Sequence, residues 1–521
     1  MPELTASMNR VAQQRIADML SQLDEFRVAA KSEKMTDKVA DEFARHAAAS
    51  VMAHFAETGN DLAPAVRLLC EMSVSRHAHI RNAGIAGLFS SLIEPLNDSF
   101  DGAQVTLYEK LFADVLEFCR RLPDAAITDS LLHRFGLRHA ADILRRRQQL
   151  PANNERNAIH LRDNHRFRKF LLPSRVTIGA DVAVTSVILS ALRQSFPQAE
   201  CVLLGSAKLR EIFGRDEKLR VREINYQRSG SLAQRIDSWA EIVAAVEEET
   251  TGFDLEETAV IDPDSRLTQL GLLPLLKDES RYYFFESRRS ASSVHQRLGQ
   301  LTAGWINALL GTHLELFPQI ALPAKFSEMG EKLAKALRQS GAQHIVCISF
   351  GVGGNPRKGM PEAFEKKLLC ALADNATLLI DKGFAPDEQQ QVNQLLTTLR
   401  EQGKAIAELS ESRVDELMAA EKLRADVVTW QGGIGSFAGL IAASDEYVGY
   451  DSAGQHIAAA LGTPTLTIFV NSGSPRFAER WHPHGRGRIN VINVAPENAR
   501  SEMKNILEQA ITIHQQISNS G

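Results

Sequence analysis

The stretch YDSAGQHIAAALGTPTLTIF, Tyr450–Phe469, sets an acid, a hydroxyl, two small residues and a histidine in front of an apolar run ending in the strand-like TLTIF. Asp451 closes one strand, and a helix starting near Gln455 would aim its unpaired N–H groups back at that strand end, where an anion can be held. Ser452 and Gly454 permit close approach of the backbone. His456, in the first turn, is neutral or cationic near pH 7 and can donate to a diphosphate. The same residues also make a well-capped helix feeding a core strand, and taken alone the stretch does not choose between these readings.

Its surroundings extend the pattern. Towards the N-terminus, HIVCISFG, ATLLIDKG, AIAEL, DVVTW and EYVGYD are short apolar strand candidates separated by amphipathic helices. A similar alternation runs through KFLLPSRV, SVILSALRQSF, ECVLLG, AQRIDSWAEIVAAVEEE and TAVIDP. Strands alternating with helices predict parallel, helix-covered sheets, so the fold class is α/β, with ligands held just beyond the carboxyl ends of the strands. From Leu4 to about Leu150 the apolar spacing is helical throughout, as in LYEKLFADVLEFCRRL. Pro151 with Asn153 and Asn154 reads as a helix stop, and PANNERNA as a linker. The expected organisation is an all-helical domain over residues 1–152, an α/β domain over 153–322 and a second α/β domain over 323–521.

Bulk properties narrow the class. The chain has 521 residues, 44% hydrophobic and 24% charged, with a formal net charge of -5, so no basic excess points to a nucleic-acid partner. Cys70, Cys119, Cys201, Cys347 and Cys370 are odd in number and sit mostly among apolar neighbours, which reads as reduced core cysteine. The start MPELTASMNRVAQQ lacks a basic segment followed by an apolar one, and no run approaches the ~18 apolar residues of a membrane span. A cytoplasmic location is expected, with peripheral association at the inner face of the membrane as a variant.

Further candidates fall at strand ends. In TIGADVAVTS, Asp181 is either a helix N-cap or a general base taking a proton from an attacking hydroxyl. The loop SFGVGGNPRKGMPEAF has Gly353 and Gly354 for close approach to a phosphate and Lys358 for its charge, without Walker A or GxGxxG spacing. In DKGFAPDEQQQV, Glu388 opens a helix and either supports its dipole or accepts from a ribose. Arg266 in DPDSR is a candidate for an anionic acceptor. His482-Pro483-His484 has metal-like spacing but no third ligand nearby, so no metal is assigned. The triplet Arg145–Arg147 reads as a solvated helix face.

Taken in order, these motifs over Arg168 to Val494 resemble the bacterial heptosyltransferase family, glycosyltransferase family 9, of GT-B architecture with two facing Rossmann-like domains. The most specific part is LIAASDEYVGYDSAGQHIAAALGTPTLTIF, which is similar to the family's Asp-Thr/Ser-Gly-x-x-His-x-Ala segment with its following Gly-x-Pro. The resemblance implies that Asp451, Ser452, Ala453, Gly454 and His456 hold a nucleotide sugar, that Lys358 contacts the donor phosphates beside Gly353 and Gly354, and that Glu388 binds the nucleoside. It implies Asp181 as the base. Three departures stand out: Ala453 replaces the family's glycine, the N-terminal motif reads Gly-Ala-Asp-Val with one extra residue, and Met360 stands where tryptophan is usual.

The function so implied is inverting, metal-independent transfer of a sugar, a heptose among the candidates, from a nucleotide diphosphate donor to a glycan, lipid-linked or protein acceptor, with no cofactor. Two alternatives are a nucleotide-sugar epimerase of the same shape and a non-catalytic sugar-nucleotide-binding scaffold. Residues 1–152 lie outside the resemblance; docking of a protein partner, self-association or simple buttressing would each suit them.

Overall fold

The computed structural model describes residues 2–30, 35–58, 63–227, 230–289, 295–353, 355–383, 385–413, 423–470 and 474–519. The strands, in chain order, are β1 (Lys169–Pro173), β2 (Glu200–Gly205), β3 (Leu219–Glu223), β4 (Thr258–Asp262), β5 (Tyr282–Phe284), β6 (Ile345–Ser349), β7 (Thr377–Asp381), β8 (Ile406–Ser410), β9 (Val427–Gln431), β10 (Glu446–Tyr450), β11 (Thr465–Val470) and β12 (Ile489–Val494). The chain divides into two compact units, residues 1–160 with 224–291, and residues 161–223 with 292–521. Among the described residues no helix is long and apolar enough to cross a membrane. All five cysteines are unpaired, and four of them are buried.

The first unit is mainly helical, as its periodicity predicts, and also contains the parallel pair β4–β5. The long helix Ala140–Asp163 does not stop at Pro151. Proline removes the N–H that would bond one turn back, which ordinarily ends or kinks a helix. Here side chains on both sides of it are tied down. Arg146 donates to the carbonyl of Gly271 at 2.6 Å. Asn154 bonds both backbone groups of Phe284, donating to its carbonyl at 2.5 Å and accepting its N–H at 2.9 Å, and so imitates a neighbouring strand. The expected linker is therefore helix, and Asn154 is an anchor. Arg146 and Arg147 are likewise not a solvated face: Arg147 is 3% exposed, lies 3.0 Å from Glu109, and pairs also with Glu286, while Arg145 remains exposed.

In the second unit β1, β2 and β3 pair in parallel, with Lys169 opposite Glu200 and Cys201 opposite Leu219. Seven more strands form an all-parallel sheet in the order β12-β11-β10-β6-β7-β9-β8. Strands buried on both faces read as unbroken apolar runs, and IVCIS and TLTIFV are wholly buried. The order reverses between β6 and β10: the chain moves outward from β6 through β7, then returns to lay β10 on its other side. Such a switch point opens a crevice beyond the carboxyl ends of the two strands. The glycine-rich loop leaves β6 there, and Asp451 follows β10 there.

Candidate functional site

Lys358 lies in a short turn, Pro356–Lys358, begun by Asn355, whose side-chain oxygen accepts the Arg357 N–H at 3.2 Å. The turn directs the lysine across the crevice. Its Nζ is 2.5 Å from Asp451 Oδ2 and 5.7 Å from the centre of the Phe477 ring. Asp451 is 8% exposed, and its other oxygen accepts from Gln455 at 2.9 Å. A carboxylate held this way fixes the ammonium group at the end of β10, so the lysine is placed before any anion arrives.

Behind Asp451 the helix Ala453–Leu461 begins as expected, with Ser452 as an extended N-cap whose side chain takes none of the first N–H groups. The departure at Ala453 acquires a physical account. A Cβ built on Gly454 would lie 2.2 Å from the Tyr447 hydroxyl oxygen, and one on Gly449 2.4 Å from the same atom. Gly454 is thus required by an aromatic ring packed under the helix start. Gly454→Ala should destabilise the fold by ~1–3 kcal/mol through overpacking. Tyr447→Phe, which removes the nearest clashing atom, should return part of that loss; chemical denaturation of the two single variants and the double variant measures both.

Against the same helix start lies the turn carrying Asp181. A Cβ on Gly179 would stand 3.2 Å from Ala453 Cα and 3.2 Å from a carbon of the His456 ring, tighter than an ordinary contact, so the turn and the helix start pack closely at position 179. Asp181 opens a π-helical stretch, Asp181–Thr185, inserted between short α-helical segments. A π-turn holds one residue more than an α-turn, and such insertions are frequent at functional sites. The carboxylate is 1% exposed. It accepts from Ser174 Oγ at 2.6 Å, the Arg175 N–H at 2.8 Å and Thr185 Oγ1 at 2.7 Å. Burial pushes its pKa up, against the opposing pull of those hydrogen bonds and the Arg175 charge. Asp181 is therefore no N-cap of its own helix; it binds the loop Ser174–Val176, in which Val176 adopts a left-handed φ of 78°, unusual for a β-branched residue.

The remaining candidates separate. His456 is 5% exposed, and burial, with the Lys358 charge adding to it, holds its pKa down to about 3, so it is a neutral donor or acceptor and the cationic alternative falls away. Glu388 accepts the Ala385 N–H at 3.3 Å as a helix cap, and Gly383, at φ 69°, leaves room for the same carboxylate. Gly353 has a left-handed φ of 61°, and Gly354 lies outside the described residues. Arg266 belongs to the first unit, 3.5 Å from Asp98. In the same DPDSR segment, Asp262 accepts from Ser265, Thr268 and Tyr282, and Asp264 pairs with Arg288. His482 bonds Asn493 at 2.8 Å, and the His484 ring lies 5.1 Å from that of Phe317.

Several residues at the crevice escaped the motif reading. Asp381 and Ser349, the last residues of β7 and β6, are 3.2 Å apart, and burial pushes the Asp381 pKa up to about 6. The strand-end rule would have found both. Trp481, whose ring lies 6.0 Å from that of His456 and 6.0 Å from the Arg175 guanidinium, has no local signature.

By its fold the chain is an α/β protein that presents a charged crevice at a topological switch point, preceded by a helical region. The family model described as glycosyltransferase family 9 (heptosyltransferase) matches residues 393–511, which include the Asp451–Ala458 segment. No curated protein matches the sequence. Among solved structures, the family 9 glycosyl transferase from Veillonella parvula is similar at 12% identity, with 68% of this chain and 98% of that chain covered and a TM-score of 0.47. The E. coli heptosyltransferase WaaC with ADP shows 16% identity, 66% and 99% coverage and a TM-score of 0.43. The dodecameric iron-containing heptosyltransferase TibC in complex with ADP-D-beta-D-heptose shows 9% identity, 68% and 77% coverage and a TM-score of 0.37. At these identities and scores the likenesses say nothing of this chain's substrate or assembly.

Proposed function

We propose that this protein transfers a sugar from a nucleotide diphosphate donor to an acceptor hydroxyl with inversion at the anomeric carbon. The observation that carries the reading is the contact at Gly179, which sets the turn bearing Asp181 against the helix start at Ala453. A base and a diphosphate site must lie that close for one sugar to span them. Asp181 takes the acceptor proton, the acceptor oxygen forms a bond to the anomeric carbon, and the bond from that carbon to the diphosphate breaks. Negative charge then grows on the leaving diphosphate. Lys358 and the N–H groups at the start of Ala453–Leu461 offset it, each such donor commonly being worth ~3 kcal/mol. For Asp181 to act, the acceptor hydroxyl must displace one of the hydroxyls of Ser174 and Thr185. Charge handling by these groups needs no metal at the diphosphate.

A panel of ADP-, UDP- and GDP-sugars tested by calorimetry decides the donor class. The expected result is saturable binding of one nucleotide class, lost with Lys358→Ala. Absence of binding to every nucleotide sugar would end the proposal. Conversion of the bound sugar without acceptor would favour the epimerase.

A further inference from the structure

Away from the crevice, three potential metal ligands meet at the amino ends of the same strands. His344 directly precedes β6, Glu446 is the first residue of β10, and His514 projects from the C-terminal helix Met503–Ser518. Glu446 Oε2 lies 2.6 Å from His514 Nδ1 and 3.4 Å from His344 Nε2, and one ligand atom from each residue falls within 4.8 Å of the others. Glu446 is fully buried, His514 is 2% exposed and His344 9% exposed. The second carboxylate oxygen, Glu446 Oε1, is buried with no hydrogen-bond partner.

We propose that His344, Glu446 and His514 form a site for a divalent transition metal, with zinc the fitting ion. Two imidazoles and a carboxylate are a donor set that zinc accepts, with bonds of about 2.0–2.2 Å and hence ligand atoms a little over 3 Å apart. The observed 2.6 and 3.4 Å separations bracket that spacing. A hydrogen-bonded His-Glu-His triad would explain the contacts to Oε2 and leave Oε1 stranded. A metal explains both, because Oε1 can complete its shell directly or through a metal-bound water. The ion would be structural: it would join the C-terminal helix to the sheet, and Glu446 is four residues from the other end of β10, about 13 Å at the rise of a strand.

The test uses the full chain, stripped with chelator and returned to Zn2+ alone. One equivalent should survive desalting, and Co2+ in its place should give the visible d–d absorption of a tetrahedral site. Glu446→Gln and His514→Gln, each checked for a native circular dichroism spectrum, should weaken Zn2+ by more than the ~10–100-fold typical of an outer-shell partner. His482→Ala should bind as the parent does. Less than a tenth of an equivalent on the parent chain, or undiminished binding by both folded variants, would overturn the site.

Discussion

Asp181→Asn should lower the rate of sugar transfer by ~10²–10⁴-fold, the usual contribution of a positioned base, while donor affinity stays at its parent value. Asparagine keeps an acceptor oxygen for Arg175 and Thr185, and the Ser174 hydroxyl can turn to accept from the new amide, so the loop is preserved. The pH profile supplies the sharper readout. A base works ionised, so transfer falls as pH drops through its pKa. Burial raises that pKa in Asp181, so the acid limb should lie above the ordinary aspartate range of the free side chain and should vanish in the variant. Steady-state kinetics across pH, paired with donor calorimetry, checks both; a variant that transfers at the parent rate removes Asp181 from the mechanism.

The second large effect is expected at Lys358. Replacing it by alanine removes a donor to the diphosphate and also leaves Asp451, 8% exposed, as an unpaired carboxylate facing an incoming anion. Truncating one member of such a pair costs about 2–5 kcal/mol, so donor affinity should fall by roughly 30- to 5,000-fold. Lys358→Ala with Asp451→Asn should then bind donor better than Lys358→Ala alone, because the repulsion is gone. A donor dissociation constant unmoved by Lys358→Ala would place the lysine outside the site.

Much of this arrangement was legible along the chain, for a local reason. Apolar runs bounded by Gly, Pro and Asp mark strands and their ends, and in parallel sheets the strand ends are where ligands sit; Asp181, Lys358, Glu388 and Asp451 are all candidates on that ground. Helical periodicity likewise announced the N-terminal helices. What local patterns could not supply was the partner of each group. Pro151 and the asparagines after it carry every sign of a linker, yet Asn154 bonds Phe284, 130 positions onward, and the helix continues.

The motifs, their order and the strand that each follows were thus determined by the sequence alone, because turn chemistry and side-chain period act between near neighbours. Tertiary structure decided the rest. It set Lys358 against Asp451, 93 positions apart, and wrapped Asp181 in its own loop. It held His456 neutral, set Gly454 against the ring of Tyr447 and packed Gly179 closely on the helix start. Charge pairing, desolvation and the room for a single Cβ depend on distances through space, and residue spacing along a chain does not encode them until the sheet has fixed which strand ends meet.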